Sequence, residues 1–151
     1  MKKIILVQFT LLSFFIASAK KGYWQQQANY SIAIQLNTSN HNFSGTSRIE
    51  YFNNSGESLT ELYFHLYNNA FQPNSEMDVL CRTIPDPDWR VGNRISTLTA
   101  EEQGHLHVSE IKVNGLNCTF LENETILQVK LNSPIGSEKV VIELAFNGQV
   151  P

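Results

Sequence analysis

The side chains best placed for chemistry are the two imidazoles of His105-Leu106-His107. Residues i and i+2 of a strand share a face, so both rings could meet one metal ion. A catalytic zinc takes three protein ligands, however, and His41 and His65 stand alone, with no H-E-x-x-H anywhere in the chain. Two histidines on a polar strand face is the plainer reading, and a small metal-dependent site is the alternative. Nucleophilic catalysis has no better footing, because there is no G-x-S-x-G turn and neither cysteine sits in a Cys/His signature. The paired acids Glu101-Glu102 and Glu122 with Glu124 lie beside turns, where exposed carboxylates are ordinary. No glycine-rich phosphate loop is present. On these grounds no catalytic, cofactor-binding or metal residue is assigned.

The elements that would carry these side chains read as strands. Tyr30, Ile32, Ile34 and Leu36 alternate with small or polar residues, the period of a half-buried strand. Turn residues at 37–45 lead to a second alternating run through Ile49 and Tyr51, closed by Asn53-Asn54-Ser55-Gly56, so a hairpin is expected. Leu62, Phe64 and Leu66 alternate with Tyr63, His65 and Tyr67, which implies a strand covered on both sides. Residues 108–113 form a strand, Asn114-Gly115 is a hairpin turn, and residues 116–121 return with Leu116, Cys118 and Phe120 on one face. Two more strands follow, one through Thr125, Leu127, Val129 and Leu131, the other through Val140, Ile142, Leu144 and Phe146, with a turn at 133–137. Helical periodicity is absent beyond about one turn at Thr99 to Glu102, a capping box stopped by Gly104. The expected class is all-β, an antiparallel saddle-like sheet or sandwich with one long Pro/Asp/Arg loop.

That loop, residues 72–104, carries Pro73, Pro85 and Pro87, with Asp78, Asp86 and Asp88 alternating with Arg82, Arg90 and Arg94. A self-pairing, solvated loop is the plain reading and a ligand site the alternative. Cys81 and Cys118 are the one pair available for a disulfide, and their spacing leaves both a bridge and two separate thiols open. Six N-x-S/T sequons, at Asn29, Asn37, Asn42, Asn53, Asn117 and Asn123, read as compositional in a chain rich in Asn and Ser.

Residues 1–19 read as a signal peptide: Lys2 and Lys3, an apolar run over 4–16, and the small-residue site Ala17-Ser18-Ala19. The apolar run is short for a membrane span of roughly 20 residues, so an exported protein, periplasmic or extracellular, is expected, with a retained anchor as the alternative. Without that segment, residues 20–151 carry nine basic and fourteen acidic side chains, a net charge of −5. Nothing there clusters Lys and Arg for a phosphate backbone, so no nucleic-acid partner is expected, nor a membrane once the signal is removed.

Three stretches resemble the N-terminal region of the aminopeptidase N-type (gluzincin) zinc metallopeptidases, in particular their exported bacterial branch. They are Tyr23-Trp24-Gln25-Gln26-Gln27-Ala28-Asn29-Tyr30, then Phe64-His65-Leu66-Tyr67-Asn68-Asn69-Ala70-Phe71-Gln72-Pro73, then Met77-Asp78 through Asp86-Pro87-Asp88 to Arg94-Ile95. The closing Phe146-Asn147-Gly148-Gln149-Val150-Pro151 is similar as well. The resemblance implies a saddle-like β domain over residues 20–151 that walls the substrate cleft of a catalytic domain. In that family, peptides are hydrolysed from the amino terminus at a zinc held by the two His of H-E-x-x-H and a downstream Glu. None of those residues occurs here, so no cofactor is implied for this chain itself, and the zinc belongs to the full-length family. The expected partners are a missing or separate catalytic domain and the peptide substrates of the parent enzyme. The expectation is thus a non-catalytic fragment, truncated before the catalytic domain, whose exposed strand 62–67 and long loop that domain would cover. A free-standing secreted β-sandwich binding or adhesion module is the alternative.

Overall fold

The computed structural model describes residues 23–85 and 88–151, so the leader read at residues 1–19 and its cleavage site lie outside the described residues. Among the described residues, eight strands and one short α-helix follow in chain order. They are β1 Gln27–Asn37, β2 Asn42–Phe52, β3 Leu59–His65, α1 Glu76–Thr83, β4 His105–Val113, β5 Leu116–Asn117, β6 Thr119–Asn123, β7 Ile126–Ile135 and β8 Lys139–Gln149. Two sheets form, a five-stranded one in the order β1-β2-β8-β4-β5 and a three-stranded one in the order β3-β7-β6. Every pairing is antiparallel, which makes the chain the all-β sandwich that its alternation predicts.

The core lies between the sheets. From the larger sheet come Ile49, Val108, Ile111, Val140, Ile142 and Leu144, and from the smaller side Leu66, Leu127, Val129, Leu131 and Ile135. Val140, Ile142 and Leu144 are buried while Glu143 between them is exposed, so period-2 patterning alone points β8 at the core. β4 changes phase at a bulge where Ser109 is left over between Val108 and Glu110, which is how both Val108 and Ile111 turn inward at an odd spacing.

Two buried amides join the sheets at opposite ends of β7. Asn53, just past β2, donates from Nδ2 to the carbonyls of Glu57 (2.7 Å) and Ile135 (3.2 Å), and its Oδ1 accepts from Gln26 and Ser55. Its Nδ2, buried with the residue at 2% exposure and spent on two carbonyls, leaves no room for a glycan in the folded chain. At the other end Asn69 donates to the Glu124 carbonyl (2.8 Å) and accepts the Leu106 N–H at the start of β4 (2.7 Å).

Several sequence expectations need correction. The run 116–121 is not one strand: Leu116–Asn117 pairs with β4 in the large sheet, and Thr119–Asn123 pairs with β7 in the small one. The buried Cys118 is the crossing point, and Leu116 and Phe120 are left exposed. Within this chain β3 is covered on one side only, with Tyr63, His65 and Tyr67 facing solvent, the exposure that the fragment reading expects. β1 is not half-buried, because three strands cannot cover five and the whole of β1 is exposed. The first hairpin loop is only residues 38–41, with β2 already begun at Asn42. There Phe43 lies opposite Gly148 and Phe146 opposite Gly45, and the rings fill the space the glycines leave and meet edge to face at 6.3 Å.

Replacing Asn53 with Ala should cost about 2–3 kcal/mol, because buried carbonyls lose their donor. N53D should be no better, since a carboxylate cannot donate to Glu57 and Ile135. Urea unfolding of the three proteins checks both. At Gly148 an added methyl group would collide with the His105 carbonyl and the Phe43 ring, so G148A should lower the melting temperature, measured by circular dichroism.

Candidate functional site

The string from Phe64 to Pro73 is a hinge between the layers. Phe64 and His65 end β3, Leu66 is buried, and Tyr67–Phe71 winds a single 3-10 turn that aims Asn69 inward. Gln72 then donates to the Gly104 carbonyl at 3.1 Å, while the Gly104 N–H donates to the Phe71 carbonyl, tying both ends of the long excursion together. The far end of that excursion is held too, because Gln149 Nε2 donates to the carbonyls of Ala100 and Gln103. His65 stacks on Tyr67 with ring centroids 5.1 Å apart, leaving an open aromatic row on the outer face of the small sheet. Across that face Tyr63, Gln128 and the exposed Leu121 sit side by side in register.

The Asp/Arg/Pro segment is not a plain loop, since α1 lies inside it. Ser75 caps the helix by accepting the Asp78 N–H and donating to the Ala70 carbonyl. Asp78, fully buried, accepts the Asn74 N–H and takes a two-pronged hydrogen bond from Arg82, at 3.2 and 3.0 Å. Self-pairing therefore holds for Asp78–Arg82 and for the exposed Asp88–Arg90, but the solvated reading fails at Asp78. Asp86 and Pro87 lie outside the described residues. Ser75 followed by Glu76 and Asp78, with Arg82 four residues after Asp78, is a readable helix start that the prolines on either side obscured. At Thr99 the expected capping box is present in part: the Glu102 carboxylate accepts the Thr99 N–H at 3.0 Å, over one turn only.

His105 and His107 do share a neighbourhood, with ring centroids 5.3 Å apart. His107 Nδ1 lies 2.9 Å from Glu122 Oε2, and the other oxygen of that carboxylate accepts the Val108 N–H beside the β4 bulge at 2.6 Å. Glu122 thus bridges the two sheets, and its lone pairs serve the backbone as much as the imidazole. His107 and Glu122 border a hollow of about 300 Å3 lined also by Asn69, Gln72, Asn74, Ser75 and Glu124. Among the described residues, no three His, Cys, Asp or Glu side chains come together as a metal site. Cys81 and Cys118 are free thiols, so the bridge left open by the sequence does not form.

Burial, and then the neighbouring His107, push the His105 imidazole below its ordinary range. The unfolded chain therefore binds this proton first, near pH 6.5, so this contribution to stability is whole above that pH. It declines as the pH falls towards the folded-state midpoint. NMR titration should place His105 below an ordinary histidine, and H107A should move its midpoint only part of the way back. Separately, D78A strands the Asn74 N–H and the Arg82 guanidinium and should cost about 2–3 kcal/mol in denaturant unfolding, with D78N costing less.

No protein-family model and no curated protein matches this sequence. Among solved structures the chain is similar to the M1 zinc metallopeptidase from Deinococcus radiodurans, at 14% identity and a TM-score of 0.50, covering 81% of this chain and 20% of that one. A mutant of that enzyme bound to a Tyr-Ser-Ala substrate matches over the same shares at 13% identity and 0.50. A two-domain M1 zinc metallopeptidase mutant bound to L-arginine gives 14% identity and 0.53, over 86% of this chain and 22% of that one. This chain has the fold of one β portion of the M1 zinc metallopeptidases and spans about a fifth of the length of the solved enzymes it resembles.

Proposed function

We propose that this chain is the non-catalytic N-terminal β domain of an exported zinc metallo-aminopeptidase, and that it walls the substrate cleft of a catalytic domain. The observation that carries the reading is the lopsided match: more than four-fifths of this chain is taken up by a fold that makes up only about a fifth of the M1 enzymes. The local geometry agrees with a supporting role. The strings that resemble the family are spent on structure here, Asn69 and Gln72 in tying the layers and Asp78 in holding α1.

The same reading gives the uncovered aromatic row a purpose. Tyr63, 60% exposed, lies in one register row with Gln128 and Leu121; Tyr67, 70% exposed, stacks on His65, and α1 packs on the 3-10 turn that begins at Tyr67, with Leu80 outward. Apolar surface of this kind on a domain is commonly a contact face. Export rests on the pattern of residues 1–19, and in that compartment the partners would be the catalytic domain and, through it, peptide substrates.

Reading the coding DNA past the Pro151 codon tests the proposal. A frame that continues into H-E-x-x-H and a later Glu is the expected result; an immediate stop codon would favour a free-standing binding module instead. The purified chain supplied with zinc should show no turnover of aminoacyl anilides, and robust turnover would overturn the non-catalytic assignment.

A further inference from the structure

The edges of the two sheets are treated unequally. β5 is two residues long, β3 is irregular between Leu59 and Glu61 and carries an acid, and β6 is five residues long with Glu122. Shortness, bulges and charges are what keep a free edge from pairing with another chain. β1 has none of them. Its eleven residues, QANYSIAIQLN, contain no charge, no proline and no glycine, and its pairing with β2 runs unbroken from Gln27 to Asn37. Among the described residues no strand pairs with its other side. The face it shares with the core residue Ile49 is apolar yet bare: Tyr30 is 63% exposed, Ile32 55%, Ile34 59% and Leu36 57%.

We infer that β1 is a self-association edge, on which the β1 strand of a second copy pairs antiparallel about a two-fold axis through Ile32. A second copy suits this edge because β1 carries no charge to repel its own image. When a strand pairs antiparallel with itself, residues whose backbone groups point outward must face residues of the same parity. The apolar set 30, 32, 34 and 36 of one copy therefore falls on the same side as that of the other, whatever the register. The register centred on Ile32 is the one that pairs the strand over its whole length, Gln27 with Asn37 and Tyr30 with Ile34. In it Asn29 meets Gln35 and Ile32 meets Ile32, with no charge opposite a charge. The result is an isologous dimer with a continuous ten-stranded sheet, whose two bare apolar rows become one. The inference stands apart from the metallopeptidase reading, since it uses only the edge.

Sedimentation velocity of the purified chain across micromolar concentrations, with hydrogen exchange at the same concentrations, tests it. A concentration-dependent dimer is expected, in which amide protection rises in β1 alone. I32K sets two ammonium groups face to face and should weaken association by on the order of tenfold or more. Because Ile32 is exposed, its melting curve should match the parent's at concentrations where both are monomeric. L121K, on the outer face of the small sheet, should dimerise like the parent chain. A monomer at every concentration would overturn the inference and leave the face to a catalytic domain or a foreign strand. So would a dimer that I32K leaves intact, or one whose protection appears away from β1.

Discussion

The sandwich depends on two buried side-chain amides. Apolar contact between the sheets is non-directional and would tolerate sliding, whereas Asn53, just past β2, holds the Ile135 carbonyl of β7, and Asn69 holds both the Glu124 carbonyl beside β7 and the Leu106 N–H of β4. Each sits at one end of β7, the central strand of the smaller sheet, so the layers are pinned at both ends. An amide suits this task because it donates and accepts at once, and its burial would be costly if either role went unfilled.

From that arrangement follows the unequal treatment of the surface. The small sheet covers β8, β4 and part of β2, and it cannot reach β1. On its own outer face it carries a row of aromatics that no other layer among the described residues covers. The molecule is therefore well packed in the middle and bare on two flanks, one the outer face of the small sheet and the other the β1 edge. The portion of the M1 zinc metallopeptidases that this chain resembles shares this two-sheet fold.

The His105, His107 and Glu122 cluster shows how chemistry-like residues can be absorbed by architecture. The β4 bulge turns the Val108 N–H toward the small sheet, and Glu122 answers it while holding His107. The Asp78–Arg82 pair is a parallel case: it closes the cap of a helix too short to be stable by propensity.

The sequence by itself determined the fold class, most strands, the Asn114-Gly115 turn and the absence of an H-E-x-x-H, because period-2 burial and turn chemistry are local properties. Its motif strings also pointed to the M1 fold that the solved structures share. Tertiary structure alone decided that 116–121 changes sheets at Cys118, that Asn53 and Asn69 are the clamps, and that the apolar rows of β1 and β3 stay open. Alternation says that a strand has an apolar face, but not whether another layer is wide enough to cover it. That depends on how many strands join each sheet, which is settled by pairings between residues distant in the chain.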